Sequence, residues 1–210
     1  MTNNKAMFIT LEGSEGVGKT TSLNFVKGFV ESLGHKVLVT REPGGTPLAE
    51  EIRNVLLAER DETVNTDTEL LLMFAARCQH VEQVIKPALS QGTWVICDRF
   101  VDASYAYQGG ARGLGFDRIA ELEQWALKTF KPELTILLDM SVKEGIARTK
   151  KRGKADRFET EKIEFYEKIR QAYLKRAKQE PTRIQIIDAA PEQELVQQSL
   201  KAVLQSRCIK

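Results

Sequence analysis

The run Gly13-Ser14-Glu15-Gly16-Val17-Gly18-Lys19-Thr20 fits the pattern G-x-x-x-x-G-K-[ST] at every position. Glycines let a short backbone segment turn its N–H groups inward, and a helix starting behind them adds the positive end of its dipole. The ligand that suits such a loop is a polyphosphate. Gly13 to Gly18 cradle it, Lys19 reaches the β- and γ-phosphates, and Thr20 holds magnesium. Nucleotide binding follows from the motif, but the fate of the nucleotide does not, because switches, motors and kinases share this loop.

Other residues carry chemistry further along the chain. Arg41-Glu42-Pro43-Gly44-Gly45-Thr46-Pro47 has prolines and paired glycines that make a tight loop. Phe74 and Arg77 are three residues apart, on nearly one side of a helix; Phe74 by itself reads first as core, and beside an arginine also as a ring that stacks on a base. Asp98 ends the apolar run Trp94-Val95-Ile96-Cys97, where a second magnesium-ordering acid belongs. Asp139 closes the strand from Leu134 and makes a like case. Arg99, a cation beside Asp98, favours Asp98, and Asp139 reads as well as a helix cap. Phe100 to Gly115 is polar and glycine-rich, so it should line the site rather than fill the core. The cationic run Arg148 to Phe158, broken by Gly153, is either a solvated loop or a flap of Lys and Arg that closes over phosphates.

These residues must be positioned by alternating strands and helices. Strand patterns fall at Met7–Leu11, Lys36–Thr40, Trp94–Cys97, Leu134–Leu138 and Ile184–Asp188. Helical spacing falls at Thr21–Ser32, Leu48–Leu57, one long helix over about Thr68–Leu89, a helix from about Val142, Glu159–Lys178, and Pro191–Leu204 with Pro191 in its first turn. The pattern predicts an α/β fold, a parallel three-layer α/β/α sandwich with a five-stranded sheet. One domain spans residues 1–210, with a mobile lid inserted at about 149–159.

Composition narrows the function. The chain has 210 residues, 42% hydrophobic and 29% charged. Its 31 basic residues against 29 acidic leave +2, too little to attract a nucleic-acid backbone or an anionic membrane. A small anion is the better partner. The polar start and the lack of a long apolar run lead to the expectation of a cytoplasmic protein. Three widely separated cysteines and two isolated histidines suggest neither disulfides nor zinc, and Cys78 and Cys97 read as buried small hydrophobes.

Four pieces in order, Thr40-Arg41-Glu42-Pro43-Gly44-Gly45-Thr46, Phe74-Ala75-Ala76-Arg77, Asp98-Arg99-Phe100 and Ala106-Tyr107-Gln108-Gly109-Gly110, give the chain a resemblance to the bacterial thymidylate kinase family over essentially its whole length. The resemblance implies a P-loop kinase fold with sheet order 2-3-1-4-5, a short lid, and transfer of the γ-phosphoryl of ATP to dTMP with Mg2+. It implies Phe74 stacked on thymine, Arg77 bonded to the base, and Ser104 with Gln108 at the polar edge. It places Arg53 and Arg99 on the acceptor phosphate, Glu15 near the sugar 3′-hydroxyl, and Tyr107 against the 2′ position, with Glu42 and Pro43 in the acceptor loop. Arg152 and Arg157 become the lid arginines that meet the transferring phosphoryl, since the loop itself offers no cation besides Lys19. Ala103 departs from the serine many relatives carry, and members are usually homodimers. The competing expectations are a kinase for another nucleoside monophosphate, which needs no Phe74–Arg77 pair, and a nucleotide-dependent switch, which needs no acceptor pocket.

Overall fold

The computed structural model describes residues 6–149 and 162–209. Five parallel strands lie in the order β2-β3-β1-β4-β5: β1 (Phe8–Glu12), β2 (Val37–Arg41), β3 (Trp94–Asp98), β4 (Leu134–Asp139) and β5 (Ile184–Asp188). The expected sheet is therefore the observed one. The three inner strands are buried almost without interruption, whereas edge strands β2 and β5 alternate with exposed positions. Continuous burial is what apolar runs flanked on both faces by helices produce.

One face is covered by α1 (Lys19–Ser32) and α9 (Gln193–Cys208), which bring Val26, Val30, Leu200 and Leu204 onto Ile9, Leu11, Ile96 and Ile136. Each of these helix side chains is fully buried, a gain of roughly 1.5–3 kcal/mol apiece. The other face carries α3 (Thr66–His80), α6 (Phe116–Leu127) and α8 (Ile163–Gln179). Shorter pieces complete the described chain: α2 (Pro47–Leu57), α4 (Lys86–Ser90), α5 (Val101–Ser104) and α7 (Val142–Thr149).

Several boundaries differ from expectation for identifiable reasons. The single long helix over Thr68–Leu89 is instead α3, a π-helical turn at Val81–Ile85, and α4. Pro87 cannot donate back along an α-helix and would crowd the carbonyl four residues before it, and the wider turn precedes it. Pro191 lies before α9 rather than in its first turn, because Glu192 is the cap. The segment after β3 is not excluded from the core: Phe100, Val101, Tyr105 and Ala106 are all at most 4% exposed. It folds as α5 and a second π-helical stretch, Tyr105–Ala111, seated on α8 so closely that a Cβ on Gly110 would come within 2.6 Å of the Ala172 methyl group. Cys97 is buried as expected, but Cys78 is only half-buried. The lid expected at about 149–159, with Arg152 and Arg157, lies outside the described residues except for Thr149.

Parallel pairing brings all the carboxyl ends to one edge, so Leu11 pairs with Asp98 and Glu12 with Leu137. In open α/β sheets that edge is where ligands bind.

Candidate active site

Beyond the ends of β1 and β3 opens a cavity of about 280 Å³. On one side it meets the phosphate loop at Glu15, Gly16, Gly18, Lys19 and Thr20; on the other it runs into a pocket walled by Glu42, Pro43, Arg77, Ser104 and Gln108. Arg53, Asp98, Arg99 and Tyr107 line it as well. Of the residues expected in the site, Gly13, Ser14, Val17 and Phe74 are not part of this wall. The Val17 side chain joins the hydrophobic core, so only its peptide group is left for a ligand. Met73 and Leu57 do line the wall, and nothing in their sequence context pointed to them.

The loop's shape depends on what lies behind it. Gly16 has φ 75°, and a Cβ there would come within 2.0 Å of the Gly145 carbonyl oxygen on α7. Gly145 is equally constrained, since its Cβ would fall 2.6 Å from the Glu15 oxygen. Lys19 Nζ donates to the carbonyls of Gly13 and Ser14 at 3.2 and 3.0 Å. Burial, then the Arg99 charge, lowers its pKa. Thr20 is exposed in the first turn of α1.

Arg99 is held in a conformation that arginine seldom adopts, φ 67°. Its own N–H donates to Leu11 O at 2.9 Å, and the next N–H, of Phe100, donates to Glu12 Oε1 at 2.7 Å. Tyr173 on α8 donates to the other oxygen of Glu12 at 2.8 Å. The strained turn is thus clamped from β1 and α8, the over-determination that such a conformation requires. Burial, followed by the Asp102 charge, raises the Glu12 carboxyl above its ordinary pKa. The Arg99 guanidinium donates to Tyr107 Oη at 2.7 Å and to Glu15, and Tyr107 in turn donates to Glu15 at 3.1 Å. Burial by itself would raise the Glu15 pKa, but the Arg99 and Lys19 charges outweigh it and bring it down to about 2. An ionised Glu15 therefore sits where loop and pocket meet.

The pocket wall is a buried polar network. Arg77 donates from Nε to Glu42 at 2.7 Å, from one terminal nitrogen to Ser104 Oγ at 3.0 Å and from the other to Phe100 O at 3.1 Å. These three bonds leave two of the five guanidinium N–H groups for a ligand. Arg77 and Glu42 are only 2% and 3% exposed in their side chains. Phe74, 3% exposed, lies under the Arg77 guanidinium at 4.8 Å and belongs to the core. His80, fully buried, bridges Glu42 Oε1 at 3.1 Å and Thr40 Oγ1 at 2.7 Å. With Nδ1–H donating to the carboxylate and Nε2 accepting the threonine hydroxyl, a neutral ring satisfies both. Along the sequence His80 stands alone; its partners are 38 and 40 positions away, beyond any local pattern. Arg53 donates to Pro43 O at 2.9 Å and so braces the same loop.

The two candidate acids differ in their surroundings. Arg170 grips Asp139 with two bonds, at 2.7 and 2.8 Å. Asp98 Oδ1 is buried with no hydrogen-bond partner among the described residues. An orphaned carboxylate oxygen and an exposed threonine lining the same cavity are a fitting donor set for magnesium, which takes one or two protein oxygens and completes its shell with water and phosphate. Among the described residues no cluster of three or more His, Cys, Asp or Glu side chains offers a fuller metal site. Arg148, expected among the cations facing phosphate, instead donates to the carbonyls of Ala189 and Ala190 at 3.0 and 2.9 Å, pinning α7 to the connection after β5.

A phosphate loop that opens into a pocket of committed side chains defines a P-loop kinase of a small acceptor rather than a switch, which has no use for the pocket. A family model described as thymidylate kinase matches residues 11–200. A thymidylate kinase of Pseudomonas putida (strain W619) is 54% identical over 198 residues, covering 94% of this chain and 96% of that protein. One from Hahella chejuensis is 52% identical, with 93% and 94% covered. The crystal structure of thymidylate kinase from Ehrlichia chaffeensis superposes with a TM-score of 0.79 at 32% identity, over 95% of this chain and 99% of that one. The chain belongs to the thymidylate kinase family. Among the described residues no helix is long and apolar enough to cross a membrane.

Proposed function

We propose that the protein phosphorylates dTMP to dTDP, with ATP as donor and Mg2+ as cofactor, and that the cavity described above is where the two nucleotides meet. The observation that carries this reading is one continuous space walled by the phosphate loop at one end and by Arg77, Ser104 and Gln108 at the other. Phosphoryl transfer needs little covalent chemistry from a protein; it needs two anions held in line, their charge offset and water kept out.

On the donor side, the peptide groups of Gly13 to Gly18 and the Lys19 ammonium hold the ATP phosphates. Thr20 and Asp98 hold the magnesium, which when bound neutralises charge on the β- and γ-phosphates. On the acceptor side, Arg99 and Arg53 hold the 5′-phosphate, with Arg99 kept aimed by Tyr107, Glu15 and the Glu12 clamp. Glu15, ionised, faces the sugar 3′-hydroxyl, and Tyr107 crowds the 2′ position. Phe74, although outside the cavity wall described above, is assigned from the family resemblance to stack on thymine, Arg77 donates to the base, and Ser104 and Gln108 meet its polar edge. Glu42 and Pro43 shape the acceptor loop. Arg152 and Arg157, outside the described residues, are assigned from the sequence to the transferring phosphoryl, where a planar guanidinium can bridge two oxygens. The remaining proposals are a single domain with a lid, a cytoplasmic location and a homodimer.

The test is an ADP-release assay with ATP and Mg2+ against dTMP, dUMP, dCMP, AMP and GMP. Turnover highest with dTMP is expected. A preference for either purine nucleotide, or slow hydrolysis that no acceptor stimulates, overturns the reading.

A further inference from the structure

Behind the pocket wall, Gln108 and Glu69 form a buried pair. Gln108 is 1% exposed yet lines the cavity, and its Nε2 donates to Glu69 Oε1 at 2.8 Å. Glu69 on α3 is also 1% exposed, is absent from the cavity wall, and accepts Arg112 Nε on the same oxygen at 3.4 Å. A carboxylate only accepts, so Gln108 must turn its NH2 toward it. No hydrogen bond among the described residues engages Gln108 Oε1, the opposite end of the amide.

We propose that Glu69 is a positioning residue that sets the base specificity of the acceptor pocket by fixing which end of the Gln108 amide faces it. The inference rests on the dTMP reading above. An unrestrained glutamine amide is nearly symmetric in shape, and a half-turn exchanges donor for acceptor. Such a side chain reads the N3–H of thymine or uracil and the bare N3 of cytosine about equally well. Anchored by Glu69, Gln108 offers its acceptor to N3–H and sets it against the lone pair of cytosine N3. Arg77, which can only donate, adds a second mismatch: it suits the imide oxygen and opposes the exocyclic amino group of cytosine. Discrimination then comes from two repulsive contacts against the wrong base as well as from two attractive contacts with the right one.

Glu69→Gln keeps the volume but presents either a donor or an acceptor to Gln108, freeing it to turn. The experiment compares kcat/KM for dTMP, dUMP and dCMP in the wild type and in Glu69→Gln. Expected is a fall in the dTMP-to-dCMP ratio on the order of tenfold or more, with dUMP tracking dTMP and KM for ATP unmoved. An equal fall for all three pyrimidines, or an unchanged ratio, overturns the role of Glu69, because a merely structural residue weakens every acceptor alike. The wild type with N3-methyl-dTMP supplies a measurement that does not depend on the variant folding. Loss of most of kcat/KM is expected, and turnover equal to dTMP overturns the proposal. A wild type inactive toward dTMP would instead fail the proposed function itself, whatever Glu69 does.

Discussion

The two ends of the cavity are built from different materials. At the donor end the ligand-facing groups are mostly peptide groups of one glycine loop, joined by the adjoining Lys19 and Thr20 side chains and shaped by the start of α1 and by α7 behind it. At the acceptor end they are side chains from Glu42 to Gln108, carried on three separate pieces of chain and held by one another: His80 on Glu42, Glu42 on Arg77, Arg77 on Ser104, Glu69 on Gln108. A backbone-built site can lose a side chain without losing its shape. In a side-chain network each member satisfies a buried partner, so recognition and stability are coupled.

That contrast can be broken most directly at Arg77. Arg77→Ala should weaken dTMP far more than ATP and, by taking the cationic partner from the buried Glu42 and leaving it only His80, should cost about 3–5 kcal/mol of stability. Substrate KM values and urea unfolding read both effects; loss of dTMP affinity with unchanged stability would separate the two functions the contrast joins. Lys19→Ala should do the reverse. Its kcat should fall on the order of 10²–10³-fold, the scale of one lost charge-stabilising donor, while the unfolding midpoint stays near that of the wild type. More than about a tenth of wild-type turnover would remove Lys19 from its assigned role.

A smaller effect is expected at the junction, where Glu15 meets Arg99. The folded-state pKa of Glu15, about 2, lies below its ordinary 4.5. The folded state therefore binds its proton more weakly, and the resulting stability is present above about pH 4.5 and is lost as pH falls toward 2. The stability difference between wild type and Glu15→Gln should shrink between pH 7 and pH 3.5 in urea titrations. A difference independent of pH would mean that Arg99 does not sense the Glu15 charge.

The same contrast decides what the sequence could reveal. The loop, β1 and α1 are contiguous, so their chemistry is written in neighbouring letters, and the three inner strands follow from apolar runs buried on two faces, whereas β2 and β5 are short apolar runs with exposed positions. The sheet order, by contrast, came from family resemblance rather than from periodicity. Glu12, Glu69 and His80 look like ordinary residues along the chain, because their partners lie from 38 to 161 positions away. The two π-helical stretches were missed because a widened turn answers to packing and to Pro87 rather than to a local repeat. Arg148 was grouped with the cations after it by proximity alone, although the fold gives it two carbonyls to hold.

The meeting of Gly16 and Gly145 has a practical consequence for anyone wishing to harden this protein against heat. Replacing a helix-interior glycine with alanine is a standard route to stabilisation, with about 1 kcal/mol to gain. Gly28 in α1 qualifies, since a methyl group there meets nothing within 4 Å. Gly145 carries the same letter in the same kind of element, but a methyl group there would strike the Glu15 carbonyl and push the loop off the helix that backs it. A scan that scores glycines by secondary structure alone would rank the two as equals, and one of its two choices would displace the machinery it meant to protect.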